Sequence, residues 1–250
     1  MEDHLSFGPN KSSDLAGKAI LVTGASSGIG EAVAKAAAER GASVAISART
    51  TSRLETLASE IEAMEYSVKI LPTDLRDRAQ IREMIEGTID AFGGLDVLVN
   101  NAGVGHWKAI SDADIDRWQD EIEVNLLASM YATRFAVEFM LKEQTGHIVF
   151  VSSLAGRFPG PEYPSYTASK AGLNAFADSI MFDLRRKGIK VTLIEPGAVD
   201  TAMQDENERG LDNLLCPFDV ADAVVYALTR PDHVCISNIA LLRSGNTEES

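Results

Sequence analysis

Short runs rich in Val, Ile, Leu and Ala alternate along this chain with longer stretches in which apolar residues recur every three to four positions. The runs at 19–23, 43–47, 67–71, 95–99, 147–153, 190–195 and 234–242 predict seven strands, and their near-continuous apolar character is that of strands covered on both faces. Helical periodicity between them predicts helices at 31–40, 51–64, 77–92, 111–143, 166–187 and 219–229, with Gly41 and Gly188 as stops. Strand and helix follow one another without a repeat or a linker, which predicts one α/β domain over 17–243. Residues 1–16 are polar and aperiodic and read as a loose arm; 244–250 read as a polar tail, and 202–218 as a short lid. Three prolines and a glycine make 157–164 a loop. The helix at 111–143 is interrupted near Asn125, a poor helix former among Val124, Leu126 and Leu127. A buried Asn needs partners, so it either caps or kinks the helix or organises water near a site.

Composition removes several alternatives. At 250 residues the chain is large enough for one substantial core, and its net charge of −14 disfavours nucleic acid or an anionic membrane as a partner. No apolar run reaches the ~20 residues that span a bilayer, and the first residues lack the basic and apolar regions of a signal peptide, so a cytoplasmic protein is expected. Cys216 and Cys235 lack near-neighbour spacing and read as buried or free thiols rather than a bridge. The scattered histidines His4, His106, His147 and His233 give no metal site.

Chemistry concentrates in three places. After the first strand, Gly24-Ala-Ser26-Ser27-Gly28-Ile29-Gly30 leads into a helix; glycines admit a pyrophosphate close to the backbone, and the helix N-terminus offers free N–H groups. At the end of the second strand, where a carboxylate would bind a ribose 2′-hydroxyl, this chain has Ala48-Arg49. Arg49 either faces solvent or meets a 2′-phosphate, the latter predicting NADP; Ser27 stands where a basic residue in the turn would add to this. Asp74, followed by Leu75, either caps the next helix or reaches an adenine. Third, Ser153 closes the fifth strand, and Tyr166 and Lys170 share a helical face, where an ammonium beside a phenol favours the phenolate. Taken alone, a Tyr and a Lys at this spacing are also common on ordinary helix surfaces.

Together these motifs resemble the short-chain dehydrogenase/reductase family. Thr23-Gly24-x-x-x-Gly28-x-Gly30, Asn100-Asn101-Ala102-Gly103, Asn125, the Ser153 to Tyr166 interval with Lys170, and Pro196-Gly197 fall in the family's order over 18–242. The resemblance implies a single-domain Rossmann fold with a doubly wound, parallel, seven-stranded sheet. It implies Tyr166 as general acid or base, Lys170 lowering its pKa and holding the nicotinamide ribose, Ser153 holding the substrate oxygen, and Asn125 holding a water. Gly24, Ser26, Ile29 and Asn101 would line the cofactor, Val199 and Thr201 would meet its carboxamide or phosphates, and Asp74 would approach the adenine.

The Ala48-Arg49 pair is similar to the NADP-preferring branch. Stretches 194–202 and 221–234 look like 3-hydroxy acid (serine-type) dehydrogenases, yet 201–219 is shorter than theirs; a short lid would admit a bulkier ketone or keto ester. Arg157, His106 and Lys108 either hold a substrate carboxylate at the mouth or are exposed charges. The expected activity is NADP-dependent hydride transfer between nicotinamide and a hydroxyl/carbonyl pair. The alternatives are a non-catalytic NADP sensor or scaffold and an NAD-dependent alcohol dehydrogenase. Family members are commonly dimers or tetramers, so a homo-oligomer is expected. Met130, Phe135, Phe139, Phe176 and Phe182 serve either an interface or the sheet.

Overall fold

β-Branched and leucine-rich runs, too short for helices and flanked by glycine, form a sheet in the computed structural model, which describes residues 14–203 and 214–244. The strands are β1 (Ala19–Thr23), β2 (Ser43–Ala48), β3 (Val68–Pro72), β4 (Val97–Asn100), β5 (Gly146–Val151), β6 (Ile189–Pro196) and β7 (Asn238–Leu241). Their order is β3-β2-β1-β4-β5-β6-β7, and every neighbouring pair is parallel. The helices are α1 (Gly28–Glu39), α2 (Thr51–Ala63), α3 (Arg78–Phe92), α4 (Ile115–Ile122), α5 (Ala128–Glu143), α6 (Pro164–Leu184) and α7 (Pro217–Leu228). They cover both faces, as a parallel sheet requires, and give one Rossmann-like domain.

Because side chains alternate across each strand, the sheet divides the apolar residues into two cores. One gathers Ile20, Val22, Val44 and Ile46 with the alanine-rich side of α1 and with Val220 and Val224 of α7. The other gathers Leu21, Leu98, Ile148 and Phe150 with Met84, Ala132, Met140 and Leu173. Phe150 meets Phe176 edge to face, with centroids 6.0 Å apart, so Phe176 serves the core. Phe135 lies under the Arg82 guanidinium at 4.1 Å, while Phe182 is exposed.

Several boundaries differ from the sequence pattern. Leu15, inside the stretch read as a loose arm, is buried and donates its N–H to Arg40 O at 3.1 Å. The predicted helix at 111–143 begins as a single tight turn, Ile110–Asp112, and becomes α4 only after Asp114 caps it through Asp116 N. A π-helical turn, Glu123–Leu127, then joins α4 to α5 and accounts for the interruption at Asn125. Strand β5 stops at Val151, and Ser153 instead caps the tight turn Leu154–Gly156. Strand β7 is shorter than 234–242; just before it, the Ile236 carbonyl accepts from the Thr192 hydroxyl. Most of the 202–218 stretch lies outside the described residues, as does the terminal tail from 245. Among the described residues no helix is long and apolar enough to cross a membrane.

His147 on β5 is buried with its Nε2 2.7 Å from Thr192 Oγ1. That hydroxyl spends its proton on Ile236 O at 2.6 Å, so His147 Nε2 carries the hydrogen and donates it. Burial, helped by the nearby Lys190 charge, pushes the imidazole down to about 3. The unfolded chain protonates near pH ~6.5 while the folded chain resists until about 3, so stability is lost as pH falls through this window at ~1.4 kcal/mol per unit. Urea unfolding at pH 7 and pH 5 is therefore expected to show wild type losing about 2 kcal/mol more than His147→Gln.

Candidate active site

The reversal of strand order between β1 and β4 leaves a crevice at their carboxyl ends. Its floor is tied together by Thr23 and Asn101. Thr23 Oγ1 accepts from Asn101 N at 3.0 Å and Ala102 N at 3.1 Å, while Asn101 Nδ2 donates to Thr23 O at 2.9 Å. The Asn101 side chain thus braces the backbone of the glycine turn while the residue lines the cleft. Gly24 has a left-handed φ of 69°, and a Cβ there would lie 2.7 Å from Ala102 Cα. A Cβ on Gly30 would strike the Gly24 carbonyl and come within 2.5 Å of Asn101 Nδ2. Ser27 stands at the N-cap of α1 without a side-chain cap, which leaves its hydroxyl and the first-turn amides facing the cleft. This cradle fits a dinucleotide pyrophosphate.

The crevice encloses about 700 Å³. Along it lie Ser26, Ser27, Gly28 and Ile29, then Arg49 beside Ala48 and Thr50, then Asp74 and Leu75, and across from them Asn101, Ala102 and Gly103. Ser153, Tyr166 and Lys170 line the other end, near Pro196, Gly197, Val199 and Thr201. Of the residues expected to bind cofactor or take part in catalysis, Gly30 and Asn125 do not reach this lining, and neither do the mouth candidates His106, Lys108 and Arg157. Asp74 does not cap α3. That task falls to Asp77, which accepts from Ala79 N at 2.8 Å, while Asp74 takes the Arg76 guanidinium at 2.8 and 3.0 Å. The Arg76 hydrogen bonds hold the Asp74 carboxyl below the usual carboxylate range, and Arg49 adds a weaker pull.

Pro164 starts α6 at the position proline prefers, and the first turn carries Tyr166 back over Ser153. Ser153 Oγ accepts from Ala155 N at 3.1 Å, so the hydroxyl proton is left for another partner. Tyr166 is buried, and burial pushes its phenol up to about 12 against the opposing hydrogen bond from Ser153; Glu121 and Tyr163 add to the rise. Burial also pulls Lys170 down to about 8, with Nζ 3.1 Å from Val151 O and 5.7 Å from the Tyr166 ring centroid. Desolvation of the phenolate thus outweighs the hydrogen bond from Ser153, which pulls the other way.

Asn125 grips both backbone polar groups of one residue, Val104. Its Oδ1 accepts from Val104 N at 2.8 Å and its Nδ2 donates to Val104 O at 2.9 Å and to Ser169 Oγ at 3.0 Å. The side chain is spent on the loop after β4 and on α6, between which Gly103 and Lys170 Nζ meet.

Two buried carboxylates were not singled out in the sequence. Glu195 holds Arg157 Nε at 2.6 and 2.8 Å, and accepts from Asn174 Nδ2 at 2.8 Å and from Asn238 Nδ2. Arg157 is therefore neither a free cation at the mouth nor a bare surface charge. Glu121 accepts from His106 N at 2.7 Å and from Ser165 Oγ, with His106 Nδ1 3.5 Å away. Lys108 is exposed. The available signals were a carboxylate inside the apolar run of β6, and Glu121 four residues before Asn125 on the same helical face. Among the described residues no group of His, Cys, Asp or Glu is placed to hold a metal, and both cysteines are free and exposed.

A doubly wound sheet with a glycine cradle at its switch point and a Ser, Tyr and Lys at the far end of one cleft defines a dinucleotide-dependent oxidoreductase architecture. The chain belongs to the short chain dehydrogenase family, whose model matches residues 18–212. It is 36% identical over 224 residues to an uncharacterized oxidoreductase of Staphylococcus epidermidis, covering 90% of this chain and 96% of that one. A metagenomic short-chain oxidoreductase in complex with NADP is 34% identical, with a TM-score of 0.81 over 92% of this chain and 98% of that one. A short chain dehydrogenase from Burkholderia cenocepacia J2315, also in complex with NADP, is 31% identical with a TM-score of 0.82, over 91% and 97%.

Removing the Asn125 amide strands both backbone polar groups of Val104. Asn125→Ala is expected to lower stability by about 1–3 kcal/mol in urea unfolding.

Proposed function

We propose that this protein is an NADP(H)-dependent oxidoreductase that transfers a hydride between the nicotinamide and a hydroxyl/carbonyl substrate: a ketone, keto acid or keto ester, or the corresponding secondary alcohol. The observation that carries this reading is one continuous cleft with the Gly24–Gly30 cradle and Arg49 toward one end and Ser153, Tyr166 and Lys170 toward the other. The two relatives solved with NADP add support.

A bound dihydronicotinamide supplies the hydride, and the chain supplies orientation and the proton. Arg49 presents its guanidinium fork to a 2′-phosphate, with Asp74 beside it engaged by Arg76. The phenol of Tyr166, pushed up to about 12, is fully protonated at neutral pH and serves as general acid toward the carbonyl oxygen. Ser153, hydrogen-bonded to the Tyr166 phenol, would donate its hydroxyl proton to that oxygen. Lys170, near 8, is mostly charged at pH 7 and offsets the phenolate as it forms. Asn125 would keep the Val104 loop in place and order a water toward Lys170. In this reading the protein works in the cytoplasm as a homo-oligomer, dimer or tetramer, and its net charge of −14 keeps it from nucleic acid and anionic membranes.

NADPH consumption measured against keto acids, keto esters, an aryl ketone, a quinone and an aldehyde tests the activity, with NADH in parallel. Tyr166→Phe is expected to bind NADPH as wild type does and to lose about 100- to 10,000-fold in turnover; an unchanged rate assigns the proton to another group. Ala48→Asp with Arg49→Ala is expected to reduce the preference for NADP over NAD by about 10- to 100-fold in relative affinity. Equal ratios before and after would remove Arg49 from the cofactor site.

A further inference from the structure

We infer that the substrate is an uncharged ketone carrying an aromatic or similarly flat apolar group next to the reacting carbonyl, and that carboxylate-bearing substrates are disfavoured. This narrows the proposed function and rests on it. The wall beside the catalytic phenol is built from Val104, Trp107, Leu154, Phe158, Tyr163 and Met203. Trp107 leans over Tyr166 with ring centroids 5.5 Å apart and a 34° tilt, and lies 6.3 Å from the Tyr163 ring. Glycines fix both rings. A Cβ on Gly105 would occupy the space of the Trp107 indole, and one on Gly160 the space of the Tyr163 hydroxyl. Phe158 lines the same cleft with 67% of its surface exposed, an apolar face that a bound ring would cover.

Electrostatics point the same way. Among the described residues, two of the three cations expected at the mouth are engaged, Arg157 by Glu195 and His106 by Glu121, while Lys108 is solvent-exposed and does not line the cleft. Glu121, fully buried and bonded to Ser165 one residue before Tyr166, already opposes negative charge at the phenol. Glu162 is the carboxylate that lines the cleft on this side. A substrate carboxylate here would lose its hydration against aromatic rings and Glu162, and among the described residues at this end of the cleft no guanidinium fork lines the wall to receive it.

The test uses one skeleton in two charge states: an acetophenone bearing a para-carboxylate and its methyl ester, with a cyclohexyl methyl ketone as the non-aromatic control. Two readouts are taken with saturating NADPH: kcat/KM on wild type, and Kd on Tyr166→Phe, which binds without turnover. The ester is expected to exceed the free acid by at least about tenfold in both, in line with the cost of an unpaired buried charge. Trp107→Ala is expected to raise KM for the ester by about tenfold and for the cyclohexyl ketone by less, with recovery in Trp107→Phe. A free acid that binds and reacts as well as the ester overturns the inference, as does failure of the ester to bind. Preferential binding of the ester without turnover in wild type upholds the inference and overturns the proposed reductase activity instead.

Discussion

Where a parallel sheet reverses its strand order, the backbone groups at the strand ends lose their ladder partners and must be satisfied by something else. In this chain Thr23 and Asn101 perform that task, each bonding across the gap between β1 and β4. The rest of the molecule depends on this tie. It permits the close approach of Gly24 to Ala102 and of Gly30 to Gly24 and Asn101, and so sets the shape of the glycine cradle. It also anchors the loop that carries Gly103 and Val104 to Asn125, and through Asn125 and Ser169 to the helix that bears Tyr166.

Buried carboxylates then fix what the loops around the reacting end can do. Glu195 joins the turn after β5 to α6 and the last strand, and in doing so removes Arg157 from contact with a ligand. Glu121 joins the loop at His106 to the start of α6. Such groups are costly to bury and are retained only with full sets of donors, which both have. The same low dielectric that makes them expensive keeps the Tyr166 proton in place and lightens the hold of Lys170 on its own.

The strands and the site motifs were legible because local chemistry dictates them. Val-, Ile- and Leu-rich runs bounded by glycine mark β1, β2 and β4; the glycine turn needs positive φ at Gly24 and Gly28; Tyr166 and Lys170 need only one helical turn between them. What sequence hides is partnership across long separations. Arg157 reads as a loose cation until Glu195, 38 residues on, is folded against it. Leu15 reads as part of a tail until α1 offers it a slot. The direction of the Tyr166 pKa depends on how much water is excluded, which no pair of neighbours reveals. The Thr192 hydroxyl on β6 reaches the Ile236 carbonyl 44 residues on, just before β7.

The π-helical turn at Glu123–Leu127 makes this segment sensitive to its length rather than to its composition. It stores one residue beyond an ordinary helical turn, and releasing that residue would rotate everything on its N-terminal side by about 100°. Glu121 would then swing away from Ser165 and His106 while Asn125 and α5 stayed behind. An insertion or a deletion in this segment would therefore dismantle one wall of the cleft in a single event, even with every α4 side chain, Glu121 included, left unchanged.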